Sequence, residues 1–145
     1  MDNYLVISPQ KQAFDYARKL AEKVGFRVLV MEDYIDYFVG ASLNRVIEVA
    51  GKEYAKNQIR KAICSIKDFQ ETVCLCGYLP FVECGILDSL TNFDVIVDKT
   101  SQQIVDAAIV ELQEKCPQLV KGNVGKMREN IKKLKVKNSV QLIQL

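Results

Sequence analysis

Apolar positions along the chain fall into two rhythms. Tyr4–Ser8, Phe26–Val30, Thr72–Cys76 and Phe93–Val97 are short runs that are apolar at almost every position, as in strands buried on both faces. Between them the apolar residues recur at three and four, the spacing of one helix face. Ala13, Ala17, Leu20, Ala21 and Val24 predict a helix that stops at Gly25, with Ser8 as its N-cap and Pro9 at its first position. Glu32–Phe38 predicts a short helix ending at Gly40. Ser42 is placed to cap another, carrying Leu43, Val46, Ile47 and Ala50 inward and stopping at Gly51. Lys52–Ile66 predicts a longer helix with Ala55, Ile59, Ala62, Ile63 and Ile66 inward. Gln102–Lys115 predicts another, ended by Pro117, and Asn123–Lys135 an amphipathic one; Ser139–Leu145 reads as a last strand. Alternating apolar strands and helices imply an α/β fold, a three-layer α/β/α sandwich around a short parallel sheet.

Length and composition sharpen this reading. With 145 residues, 49% of them hydrophobic and 26% charged, the chain is expected to form one domain spanning 1–145. No apolar run approaches the length of a bilayer span, and the start Met1-Asp2-Asn3 lacks a signal-peptide pattern, so a cytoplasmic location without membrane contact is expected. The five cysteines (64, 74, 76, 84 and 116) are an odd set, expected to be reduced. Cys74 and Cys76 share one face of a strand and read as buried thiols, whereas Cys116, beside Pro117, reads as the exposed one. The absence of histidine and of any C-x-x-C pair argues against a metal site.

The net charge of +2 is unevenly spread. Residues 121–137 carry seven Lys/Arg and one acid, Glu129, which leaves the remainder at −4. This basic helical stretch has no interleaved aromatics, so a solvated helix face or a contact with an acidic protein is expected rather than nucleic-acid binding.

Residues 25–56 carry the most specific signal: GFRVLVMEDYIDYFVGASLNRVIEVAGKEYAK. Gly25, Ile35, Gly40, Ser42, Leu43, Ile47 and Gly51 stand, without a gap, where the shikimate kinase family has a strand, Asp-x-Asp, x-x-Ile-Glu, Gly-x-Ser-Ile and Gly-Glu-x-x-Phe-Arg. Ala17, Leu20 and Ala21 fall on that family's first helix. The resemblance covers about the first 100 residues and implies a P-loop kinase-like fold. By the same resemblance the functional positions are replaced. The phosphate loop G-x-x-x-x-G-K-S/T would begin at Ile7, placing Gln12 at its second glycine, Ala13 at its lysine and Phe14 at its Mg-binding hydroxyl. Val30 and Glu32 stand at the two aspartates and Lys56 at the substrate-binding arginine. Gly77-Tyr78-Leu79 stands at the triple glycine, and Cys116 at the lid arginine.

A phosphate loop wraps an anion with successive backbone N–H groups, and its glycines allow the wrap. Pro9 has no N–H, and Gln10, Lys11 and Gln12 resist the required dihedrals. No catalytic residue is therefore assigned and no cofactor is expected. The chain is expected to be a catalytically inactive shikimate-kinase-like protein, a binding or regulatory module for a small acid or a protein partner. Glu32, Lys56 and Gly77 would form its remnant substrate-like pocket; the plainer reading of Glu32 and Lys56 is a surface ion pair. Two alternatives stay open. One is a small-molecule phosphotransferase using ATP and Mg through Lys11 in a non-standard nucleotide site. The other is an interaction protein working through the basic C-terminal helix. Asp33, Tyr34, Asp36 and Tyr37 cluster after the second strand, where the tyrosines could stack on a ligand or pack along the helix.

Overall fold

The computed structural model describes residues 3–77, 90, 92–98, 101–121, 124–135 and 140–143, and the side chains of all of these except 101–104, 131–135 and 140–143. Five strands, β1 (Asn3–Ile7), β2 (Arg27–Val30), β3 (Thr72–Cys76), β4 (Phe93–Asp98) and β5 (Val140–Ile143), form one sheet in the order β2-β3-β1-β4-β5. All four pairings are parallel. Parallel neighbours require crossover connections, and helices supply them: α1 (Gln12–Val24), α2 (Met31–Val39), α3 (Leu43–Ala50), α4 (Lys52–Ile66), α5 (Ser101–Lys115), α6 (Pro117–Val120) and α7 (Val124–Lys135).

The strands alternate between two cores, as a period of two requires. Val6, Val73, Leu75 and Ile96 face the small side chains Ala13, Ala17 and Ala21, so α1 lies close against that face. Leu5, Ile7, Cys74, Cys76 and Val97 face the larger core, which holds Met31, Ile35, Ile59, Ile63, Ile66, Ala108 and Leu112. The sandwich read from the sequence is therefore present, and it is uneven: α1 covers one face, and α2 to α5 contribute to the other. Cys74 and Cys76 share the larger core as expected, and Cys76 Sγ lies 3.3 Å from Met31 Sδ.

Several local expectations are corrected. α1 begins at Gln12, not beside Ser8, and its N-cap is Lys11 in helical conformation. Ser8 does not cap it, because it lies four residues before the helix start, and its hydroxyl oxygen accepts from Gln10 N–H within the turn. α5 ends at Lys115, before Pro117, as expected, but Pro117 also opens the four-residue α6. That short helix buries Leu119 and Val120 and turns Cys116 inward, so Cys116 is 1% exposed rather than an exposed thiol; Cys64, on α4, is the exposed one. Ala50 is exposed, since α3 ends there. The glycine stops hold: Gly40 closes α2 with a left-handed φ of 85°. The basic helix is α7, anchored by Met127 at 0% exposure and by Arg128 Nη2, 3.4 Å from Asp106 Oδ1. Cys84 lies outside the described residues. No helix among the described residues is long and apolar enough to cross a membrane.

Candidate functional site at the carboxyl edge of the sheet

In an open parallel sheet, ligands bind beyond the carboxyl ends of the strands, where consecutive crossovers diverge. Here that place is the end of β1, between β3 and β4. The register puts Ile7 opposite Cys76 on one side and Val97 on the other. The residues that follow, Ser8, Gly77 and Asp98, therefore stand side by side at the sheet edge.

The turn from β1 to α1 is closed on itself. Ser8 N–H extends the sheet by donating to Cys76 O at 3.1 Å, and Pro9 has no N–H to offer. Gln10 N–H donates to Ser8 Oγ at 3.2 Å. Ala13 N–H donates to Gln10 O at 3.1 Å, and Phe14 N–H to Lys11 O at 3.3 Å. Of the backbone donors that a phosphate loop would aim at an anion, those of Gln10, Ala13 and Phe14 are thus spent within the turn. Beneath it lies Asp98, at 0% exposure. Its Oδ2 accepts from Ser8 Oγ and from Gln10 Nε2, each at 3.1 Å. Ala13, at the family's lysine position, is buried in the smaller core, and Phe14, at the hydroxyl position, is half exposed.

Across the edge, Glu32 stands in the first turn of α2 and is 6% exposed. Its Oε1 accepts from Gly77 N–H. A Cβ at residue 77 would stand 2.7 Å from that oxygen, which explains a glycine here by close approach rather than by an unusual φ. From the opposite side α5 brings Glu111, whose Oε1 accepts from Lys115 Nζ at 3.1 Å. Burial pulls the Lys115 ammonium down, but the hydrogen bond and charge of Glu111, followed by the charges of Asp33 and Glu32, hold its pKa above the usual range. Asp36 is pushed up, first by burial and then by Asp33, with Lys115 opposing.

Ser8, Gln10, Lys11, Glu32, Gly77, Glu111 and Lys115 are among the residues lining a cavity of about 200 Å³. It continues toward a wider groove of about 910 Å³ between the Pro9–Gln12 turn and α5. Of the residues singled out from sequence, the structure brings Lys11, Glu32 and Gly77 together around this cavity. Lys56 does not join them: it lies half-buried on α4, does not line the cavity, and makes no ion pair with Glu32 among the described residues. Glu32 is a buried acceptor for the β3 edge instead of half of a surface pair. Tyr34 is a packing residue, hydrogen-bonded to Ser65 Oγ and stacked edge-on against Phe69, while Tyr37 is 85% exposed. Among the described residues no group of three or more acids or cysteines is arranged to hold a metal ion.

Sequence reasoning missed Asp98, Glu111 and Lys115. Asp98 was visible as the acid terminating an otherwise apolar strand, just as Ser8 terminates β1. Glu111 and Lys115 had the i,i+4 spacing of a helical ion pair.

No family model and no curated protein matches the sequence. Solved structures do match the fold. Shikimate kinase from Acinetobacter baumannii, in complex with shikimate, superposes with a TM-score of 0.70 at 16% identity, over 100% of this chain and 84% of that one. Shikimate kinase from Aquifex aeolicus gives 0.68 at 12% identity, over 99% and 86%. The enzyme from Bacteroides thetaiotaomicron gives 0.57 at 10%, over 90% and 75%. The fold is shikimate-kinase-like, as the spacing of residues 25–56 implied.

Proposed function

We propose that this chain is a non-catalytic shikimate-kinase-like protein, a binding or regulatory module in which the nucleotide site no longer operates. The observation that carries this reading is the turn after β1, where Pro9 has no N–H, Gln10 N–H is taken by Ser8 Oγ, and the Ser8 and Gln10 side chains are taken by Asp98. ATP·Mg does not fit these residues. No glycine wraps the phosphates, Ala13 cannot reach them, and Phe14 offers Mg²⁺ no oxygen. The charges around the cavity point the same way, since among the described residues Glu32, Asp33 and Glu111 line it beside Lys11 and Lys115. Phosphoryl transfer needs the opposite balance, because charge developing on the transferred group must be stabilised. The carboxyl edge then serves to hold a small ligand or a protein partner.

One observation favours a second reading. Lys11 is exposed and lines both the cavity and the groove, where a phosphotransferase with a non-standard site would use it. A coupled phosphotransfer assay with ATP·Mg, shikimate and related polyols separates the two. No turnover is expected from the wild type. Turnover that is abolished by Lys11→Ala would replace the first reading with the second.

A further inference from the structure

Resting on the reading just given, we propose that Asp98 is the device that keeps anions out of the β1–α1 turn: a built-in carboxylate that takes the Ser8 and Gln10 side-chain donors for itself. Two other acids, which line the cavity, have internal donors. Glu32 accepts from Gly77 N–H, and Glu111 from Lys115 Nζ. Only Asp98 draws on the turn that would have to greet a phosphate. Its Oδ2 accepts from Ser8 Oγ and Gln10 Nε2, and Ser8 Oγ in turn accepts from Gln10 N–H. Gln10 is therefore held by both its backbone and its side chain, and the Ser8 and Gln10 side-chain donors point to Asp98.

Two effects follow. A phosphate entering the cavity must compete for Ser8 Oγ and Gln10 Nε2 with a carboxylate that already holds them from behind. It must also approach a fixed negative charge at 0% exposure, where water screens poorly. The loss of glycines explains why the turn cannot wrap a nucleotide. Asp98 adds that the turn rejects even a bare inorganic anion, making the site selective against phosphate and not merely indifferent to it.

The test uses inorganic phosphate, titrated calorimetrically and by phosphorus NMR line width against the full chain. Asp98→Asn keeps the shape and an acceptor oxygen while removing the charge. Asp98→Ser removes the charge with a shorter side chain and adds no cation, so it decides the matter if the Asn variant does not fold. Glu114→Gln makes the same change in net charge on the groove wall without touching Asp98. The expected result is phosphate binding roughly tenfold or more tighter in Asp98→Asn and in Asp98→Ser than in wild type, with no gain in Glu114→Gln. No gain in a folded Asp98→Asn or Asp98→Ser variant overturns the proposal, as does an equal gain in Glu114→Gln. Because the readout is a difference between variant and wild type, it fails separately from the proposed function, which fails only if the wild type itself binds or turns over nucleotide.

Discussion

The backbone N–H of Gly77 donates into the carboxylate of Glu32, and the space a Cβ would need at residue 77 is taken by that same carboxylate, 2.7 Å away. The two residues are 45 apart in sequence and define each other's chemistry. Glu32 is buried with a backbone donor facing it, and a Cβ added at residue 77 would require that carboxylate to shift.

Substituting either residue tests this. Glu32→Ala leaves the Gly77 N–H without that acceptor, at an expected cost of about 1–3 kcal/mol. Gly77→Ala forces the carboxylate away and is expected to cost a similar amount, about 1–3 kcal/mol. The double variant should be less damaged than the sum of the singles, with a coupling of about 1 kcal/mol or more in urea unfolding. Additive costs would mean that the two residues do not depend on each other.

Ser8 is the hinge of the closed turn, accepting from Gln10 N–H and donating to Asp98. At 2% exposure, its removal in Ser8→Ala leaves a donor and a carboxylate oxygen each short of a partner. The expected loss is about 1–3 kcal/mol, with faster hydrogen exchange at the Gln10 amide. An unchanged unfolding midpoint would argue against the closed turn.

Thiol accessibility separates four cysteines. Under native conditions iodoacetamide should modify Cys64 and spare Cys74, Cys76 and Cys116, with all four reacting after unfolding. Peptide mass spectrometry reads each site. Prompt labelling of Cys116 would show that the α5–α6 junction opens and that residue 116 is not core.

Stability should fall in alkaline solution. Burial, with the charge of Glu32 adding to it, pushes the Cys74 thiol above its ordinary 9.0. Above that pH the unfolded chain gives up a proton that the folded chain keeps, so the stability held below it is lost as pH rises. Cys116 acts with the same sign, raised mainly by burial. The raised Lys115 adds a loss above its ordinary 10.5. Urea midpoints measured from about pH 8 to pH 10 should decline in wild type and decline less in Cys74→Ala, whose neutral stability is lower for packing reasons. An equal slope in the two proteins would contradict the assignment.

Much of the fold was legible because it rests on local patterning. Four strands declared themselves as unbroken apolar runs, and Ala13, Ala17 and Ala21 placed α1 by spacing and size alone. Gly25, Gly40 and Gly51 marked three helix stops. What stayed hidden depends on contacts distant in sequence. Ser8 has every local feature of an N-cap, yet the helix starts at Gln12, and the Ser8 hydroxyl accepts from Gln10 N–H and donates to Asp98, ninety residues on. Cys116 follows a long helix and precedes a proline, which locally reads as a surface corner; only the packing of α6 turns it inward. Lys56 kept the charge sign of the family's arginine, and position in sequence could not show that it would stand apart from the cavity. The candidate site was legible as a list of losses. The carboxylates that now occupy it became visible only when β3, β4 and α5 were brought together.

The central claim is that the β1–α1 turn no longer receives a nucleotide. Calorimetric titration of the full chain with ATP·Mg tests it most directly. The account predicts no saturable heat in the micromolar range. A micromolar dissociation constant near one-to-one stoichiometry would contradict it, whatever the turn's hydrogen bonds suggest.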